Sequence, residues 1–245
     1  MGKLDGKIAV ITGATDGMAL ATAKLFVQEG AYVFITGRRQ QKLDEVVELI
    51  GHNVRGVRCD SAKLSDLDRL YSIVKQEKGQ IDILFASAGI GGFGPTDRVT
   101  EENFDEVFDL NTRGTYFTVQ KALALLKEHS SVILNSSVVS AMGSPNMSVY
   151  SGSKASLNAF VRCWVLELKD RKIRFNIVSP GPIATTRFQA QPQEFQQQSA
   201  RRSPQGRVGQ PQEIASTLLF LASSDSSNVN GVDIAVDGGF SISTL

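Results

Sequence analysis

Short apolar runs recur along the chain at 7–12 (KIAVIT), 31–36 (AYVFIT), 54–59 (VRGVRC), 81–86 (IDILFA), 131–136 (SVILNS), 173–179 (IRFNIVS) and 231–237 (GVDIAVD). Most are continuously apolar rather than alternating, the pattern of strands buried on both faces. Between them lie segments with apolar residues at helical spacing. One begins at Gly17 and stops at Gly30; another runs from Leu64 to a stop at Gly79. Longer helical segments follow at 101–127 and 147–170, and a last one starts at Pro211, where proline suits a first turn. Strand and helix in alternation predict βαβ units, hence a doubly wound α/β fold of about seven parallel strands with helices on both faces. No composition shift divides the 245 residues, so we expect one domain over 1–245. The segment 184–210 breaks the pattern. It is rich in glutamine, carries Pro192 and Pro204, and follows the C-terminal end of the sixth strand. Ligands bind beyond that edge in such sheets, so the segment reads as a substrate lid rather than a passive surface insertion.

Composition narrows the function classes. The formal net charge is +1 with both signs scattered, which argues against a nucleic-acid binder. Two distant cysteines, Cys59 and Cys163, show no metal-ligand spacing, and we read them as half-buried small hydrophobes in a reducing compartment. His52 and His129 read as surface residues. No metal site is expected. No apolar run suits a signal peptide or approaches the ~20 residues of a membrane span, so a cytoplasmic protein without membrane partners is expected.

Two stretches carry candidate chemistry. TGATDGMA (12–19) places Gly13 and Gly17 in the turn from first strand to first helix, where bare backbone lets a pyrophosphate approach a helix N-terminus. Capping of that helix falls to Thr15 or Asp16. VYSGSK (149–154) sets Tyr150 and Lys154 one helical turn apart on one face.

Taken together, these motifs resemble the short-chain dehydrogenase/reductase family over residues 5–240. Gly13 and Gly17, with Ala19 in place of a third glycine, match its TGxxxGxG turn. ASAG (86–89) stands for its NNAG, NTRG supplies Asn111, and Ser137 precedes Tyr150 by thirteen positions; Lys154 and SPGPIATT (179–186) complete the order. The resemblance implies hydride transfer between a nicotinamide dinucleotide and a ketone or secondary alcohol, without metal. In that scheme Tyr150 is the general acid/base, Lys154 favours the phenolate and holds the nicotinamide ribose, Ser137 orients the substrate oxygen, and Asn111 supports a helix kink and a proton relay. Cofactor contacts are implied for Gly13, Thr15, Asp16, Gly17, Met18, Asp60, Ser61, Ala88, Gly89, Asn111, Tyr150, Lys154, Pro180, Gly181, Ile183 and Thr185. Substrate contacts are expected from Ser137, Val139, Asn146, Tyr150 and Phe188. Gly37, where NAD-binding relatives keep an acid, is followed by Arg38 and Arg39. That turn invites a 2′-phosphate, so NADP(H) is expected over NAD(H), with Arg38 the stronger contact. The family also implies a homotetramer pairing helices near 101–127 and 150–170. An NAD-linked dehydrogenase of a defined pathway and a non-catalytic dinucleotide sensor are the alternatives. Two departures bear on binding: a methyl at Ala19, and the missing side-chain amides of ASAG.

Overall fold

A computed structural model describes residues 2–243. Seven parallel strands form one sheet: β1 (Ile8–Ile11), β2 (Tyr32–Gly37), β3 (Val54–Arg58), β4 (Ile81–Ala86), β5 (Leu126–Asn135), β6 (Arg174–Pro180) and β7 (Asp233–Val236), in the order β3-β2-β1-β4-β5-β6-β7. Helices α1 (Gly17–Gln28), α2 (Gln40–Ile50), α3 (Leu64–Lys78), α4 (Glu101–Phe108), α5 (Thr115–Ala122), α6 (Ser148–Glu167), α7 (Thr186–Gln189), α8 (Gln193–Arg202) and α9 (Pro211–Ala222) connect them.

Burial follows position in the sheet. Every residue of β1 and β4 is buried, whereas the edge strands β3 and β7 alternate or stay half-exposed. Successive side chains on a strand point to opposite faces, so the apolar runs feed two cores. Val10, Phe34, Leu84, Val132, Leu134 and Ile177 face α3, α5 and α6, while Ala9, Ile11, Ile35, Ile83, Phe85 and Ile133 face α1, α2 and α9. Trp164 is buried in the first of these cores, with Phe160 packed against it.

The helix limits have local causes. Asp16 caps α1, its carboxylate accepting from Gly17 N at 2.7 Å. Gly79 ends α3 in the left-handed conformation at φ 74°, where a side chain would be strained. At α9, Pro211 takes the first helical position, and Gln210 with Glu213 forms a capping box.

Two expectations need correction. The segment 101–127 is not one helix: α4 and α5 are separated by a π-helical stretch, Asp109–Gly114, and β5 already begins at Leu126. The early start of β5 is accommodated by a register shift against β4 between Ile81 and Ile83, with His129 at φ 63°. The cysteines are unlike each other: Cys163 is exposed, while Cys59 is buried and its thiol is pushed up to about 12 by burial, which keeps it protonated. The segment 184–210, expected as a lid, contains α7 and α8 and is closed at its base by a bridge between Ile183 and Gly209.

Candidate active site

The sheet order reverses direction between β1 and β4, so their C-terminal ends diverge into a crevice. The glycine turn after β1 lies on one side of it. Gly13 has φ 69°, and a Cβ there would stand 2.9 Å from Ala88 Cα, so only hydrogen fits. Gly17, at φ 58°, abuts Thr185 in the same way. Ala19 is buried in the core shared with α9; its methyl is absorbed by helix packing. The amides absent from ASAG are replaced from below. Thr12 Oγ1 accepts from both Ser87 N (3.0 Å) and Ala88 N (3.1 Å), tying the two strand ends together.

Opposite this turn, three elements converge on one cluster. The π-helical stretch presents Asn111, which is fully buried. Its Oδ1 accepts from Ile90 N (2.9 Å), and its Nδ2 donates to Ile90 O (2.9 Å) and Ser153 Oγ (3.1 Å). One extra residue in the helical turn aims this side chain inward, a common use of π-bulges at functional sites. On α6, Lys154 is buried with its Nζ donating to Asn135 O at 2.7 Å, the last residue of β5. Ser136 turns away to donate to Lys154 O (3.3 Å), while Ser137 is hydrogen-bonded to the Tyr150 side chain. Gly89 completes the group: a Cβ there would lie 3.1 Å from Asn111 Oδ1 and 3.3 Å from Lys154 Nζ.

Electrostatics differ from what the Tyr–Lys spacing suggests. Burial holds the Tyr150 phenol above its usual value, and the Ser137 hydrogen bond and the Arg187 charge pull it down only in part. Lys154 is not among the groups that lower it; its Nζ lies 6.0 Å from the Tyr150 ring centroid and is committed to Asn135 O. Burial in turn pulls the ammonium down to about 8. Desolvation outweighs the pair's mutual influence, so the phenol carries its proton at neutral pH.

The rest of the crevice fits an extended dinucleotide. Three hydroxyls at the C-terminal edge of the sheet or on α6, those of Ser61, Ser151 and Ser179, are buried without a hydrogen-bond partner. The first turn of α1 leaves backbone N–H groups outside the helical ladder. Asp16 Oδ1 accepts a second hydrogen bond from Thr186 Oγ1 (3.0 Å), which joins this turn to α7. Asp60 Oδ1 accepts from Ala62 N (3.2 Å) and so braces the turn that carries Ser61. Gly181 passes close to Asp237, and Pro180 and Ile183 are buried. At the end of β2, Arg38 and Arg39 are both exposed, and it is Arg39 rather than Arg38 that lines a cavity with Thr15, Asp16 and Lys42. Arg58, absent from the sequence reading, pairs in register with Gly37 and donates from Nε to Arg38 O (3.2 Å). Only the register of β2 on β3 reveals it.

Among the expected substrate contacts, Val139 is buried. Asn146 is exposed at φ 63°, and its carbonyl accepts from Gly94 N at 2.9 Å. Phe188 packs on Phe195, ring centroids 6.0 Å apart. Two further groups stand here: Phe93, whose ring centroid is 5.8 Å from that of Tyr150, and Arg187, beyond it. Among the described residues, no group of three or more His, Cys, Asp or Glu side chains could hold a metal ion, and no helix is long and apolar enough to cross a membrane.

A seven-stranded parallel sheet with this crevice defines a dinucleotide-binding oxidoreductase of Rossmann type. A family model described as enoyl-(acyl carrier protein) reductase matches residues 13–241. The chain is 44% identical over 240 residues to the oxidoreductase asL5 of Sarocladium schorii, covering 97% of this chain and 96% of that one. It is 36% identical over 245 residues to the 3-oxoacyl-(acyl-carrier-protein) reductase FabG of Thermotoga maritima, covering 98% and 100%. A crystal structure from Agrobacterium tumefaciens, described as a proposed gluconate dehydrogenase, superposes with a TM-score of 0.90 at 26% identity over 97% of each chain. The chain belongs to the short-chain dehydrogenase/reductase family, whose members are oxidoreductases that bind a nicotinamide dinucleotide.

Proposed function

We propose that the protein is a cytoplasmic, metal-independent NADP(H)-linked ketoreductase that interconverts a ketone and a secondary alcohol. The observation that carries this reading is the convergence of a protonated, partly buried Tyr150, hydrogen-bonded to Ser137, with buried Lys154 and Asn111. The bound nicotinamide supplies or accepts the hydride. Ser137 donates a hydrogen bond to the substrate oxygen and fixes it beside the phenol. Tyr150 gives up its proton to that oxygen as negative charge develops. Lys154, freed from Asn135 O or sharing it, binds the ribose hydroxyls and stabilises the phenolate. Asn111 holds the loop at Ile90 and the α6 turn at Ser153 in place, so that the proton can be replaced from solvent. The 3-oxo substrate class named for the Thermotoga relative agrees with a ketone here. The exposed Phe104, stacked on Phe108 at 4.4 Å in α4, suits the tetramer contact that the family resemblance implies.

The cofactor assignment rests on Gly37 and the three arginines around it. A charge-assisted hydrogen bond contributes ~1.5–3 kcal/mol, so one or two contacts to a 2′-phosphate favour NADPH over NADH by roughly ten- to several-hundred-fold. Steady-state kcat/KM for both dinucleotides with a ketone panel is the test. Arg38→Leu and Arg39→Leu, separately, should each erode the preference. Gly37→Asp alone is a poor probe, because its Cβ would stand 2.5 Å from Thr15 Cγ2. Paired with Thr15→Ser, which removes that methyl, it should reverse the preference. A wild type that prefers NADH would overturn the assignment, and one that oxidises neither dinucleotide with any ketone would favour a dinucleotide sensor.

A further inference from the structure

One charged group outside the catalytic cluster stands beside the reacting phenol. Arg187 is the second residue of α7 and is exposed, and its guanidinium has no ion-pair or hydrogen-bond partner among the described residues. By contrast Arg207, in the same segment, is committed, with contacts of 2.9 and 2.7 Å to the Glu213 carboxylate. The Arg187 guanidinium carbon lies 6.0 Å from the Phe93 ring centroid, and that ring lies 5.8 Å from the Tyr150 ring, tilted by 50°. The backbone makes room for this arrangement at Gly91, where a Cβ would stand 2.5 Å from Phe93 Cε2 and 2.7 Å from Arg187 Nη2. Phe93 is 57% exposed despite its position against the active tyrosine, so it offers a free ring face. The Arg187 charge reaches far enough to draw the Tyr150 phenol downward.

A planar, weakly hydrated guanidinium with free donors is matched to a carboxylate or phenolate, and a flanking aromatic ring is matched to a flat conjugated system. We propose that Arg187 and Phe93 set substrate specificity by holding a planar aromatic ketone that carries an anionic oxygen on the lid side of its carbonyl. The inference rests on the ketoreductase reading for the carbonyl and on Arg187 alone for the charge.

The test compares three ketones: 3-acetylbenzoate, its neutral methyl ester, and 4-hydroxy-3-nitroacetophenone, whose phenol is ionised at neutral pH. Both kcat/KM and calorimetric binding to the NADP-loaded protein are read. Wild type should prefer at least one anion over the ester by about tenfold or more, equivalent to about 1.4 kcal/mol, and the larger ratio identifies carboxylate or phenolate. Arg187→Gln should collapse that ratio towards one, and Arg187→Lys should keep part of it. Arg201→Gln, an exposed charge elsewhere on the lid, should leave it unchanged. Equal use of all three ketones by wild type, or a ratio that survives in Arg187→Gln, overturns the inference while leaving the ketoreductase reading intact. Arg187-dependent binding of an anion without turnover of any ketone supports it and overturns that reading instead.

Discussion

The two walls of the crevice are built on opposite principles. On one wall, Asn111, Ser153, Lys154 and Asn135 are buried or half-buried and cross-linked by hydrogen bonds between three separate elements, the π-helical stretch, α6 and the end of β5. On the other, α7 and α8 are mostly exposed, and Gln196 Nε2 bonds back to the lid's own carbonyls at Gln189 (3.0 Å) and Gln191 (2.8 Å). The lid touches the rest of the protein through the Ile183–Gly209 bridge, Thr186 to Asp16, Ser203 Oγ to Gly238 O at 3.3 Å, the Arg207–Glu213 ion pair, and Arg187 and Arg202 over the rings of Phe93 and Phe240. Proton transfer needs atoms held to fractions of an ångström, and a desolvated wall cross-linked by hydrogen bonds provides that. Substrate capture needs an element that opens at small cost, and a segment with little buried apolar area provides that. On the proposed reading, chemistry and selectivity are housed in parts of the molecule that are packed differently.

If the first wall carries the chemistry, the largest effect should come from the smallest change within it. Tyr150→Phe keeps the ring against Phe93 and removes only the proton. A general acid is worth about 10²–10⁴-fold, so kcat should fall on that scale while dinucleotide affinity, read by fluorescence titration, stays near wild type. Near-normal turnover would remove Tyr150 from the mechanism and dissolve the contrast between the walls.

Lys154 sharpens the same point through pH. In the unfolded chain it titrates near 10.5, and buried on α6 it is pulled down to about 8. Between these values the unfolded state holds a proton that the folded state has lost. Stability from this group therefore rises with pH across that window, and the full penalty, about 3 kcal/mol, applies below it. Denaturant unfolding of the dinucleotide-free protein should show wild type gaining on Lys154→Met as pH climbs from about 8 to about 10.5. The kcat/KM for the dinucleotide should fall over the same range, because the neutral amine is a weaker partner for ribose hydroxyls. A stability difference that is flat with pH would mean the ammonium is solvated, not buried.

The first wall was legible in the sequence residue by residue, and the second mainly as a segment, for physical reasons. Strand alternation and helical spacing fix directions rigidly, so Tyr150, Lys154 and Ser137 could be placed from their spacing, as could six of the seven strands to within a residue or two. The seventh, β5, starts five residues early because Leu126 pairs with Ile81 across a register shift, and a polar stretch such as Lys127–Ser131 carries no strand pattern. The π-helical stretch was visible only as an expected kink at Asn111, since a one-residue insertion in a helix leaves hydrophobic spacing nearly unchanged. Arg58 became apparent only once β2 was paired with β3. No spacing singled out Arg187 or Phe93 individually. They lie in loop and lid segments without periodicity, and what brings them together is the bare backbone at Gly91.

The smallest expected effect concerns the lid itself and is kinetic. Arg187, Arg201, Arg202 and Arg207 give trypsin four target bonds between the feet of the loop, with all but Arg202 exposed. Cleavage in the native state requires local opening, and a mostly exposed segment opens at small cost compared with global unfolding. Dinucleotide bound against α1 and Thr185 should brace the lid, and a ketone beneath α7 should brace it further, so trypsin cleavage within 187–202 should slow by a few-fold with NADP and more with NADP plus substrate. Breaking one tie should work in the opposite direction. Thr186→Val removes the donor to Asp16 Oδ1, so it should speed cleavage of the free protein without changing the free energy of global unfolding by more than about 0.5 kcal/mol, the usual scale for an exposed substitution. Equal cleavage in all ligand states, with no response to Thr186→Val, would show the second wall to be as fixed as the first, and specificity would then have to be built into a rigid pocket.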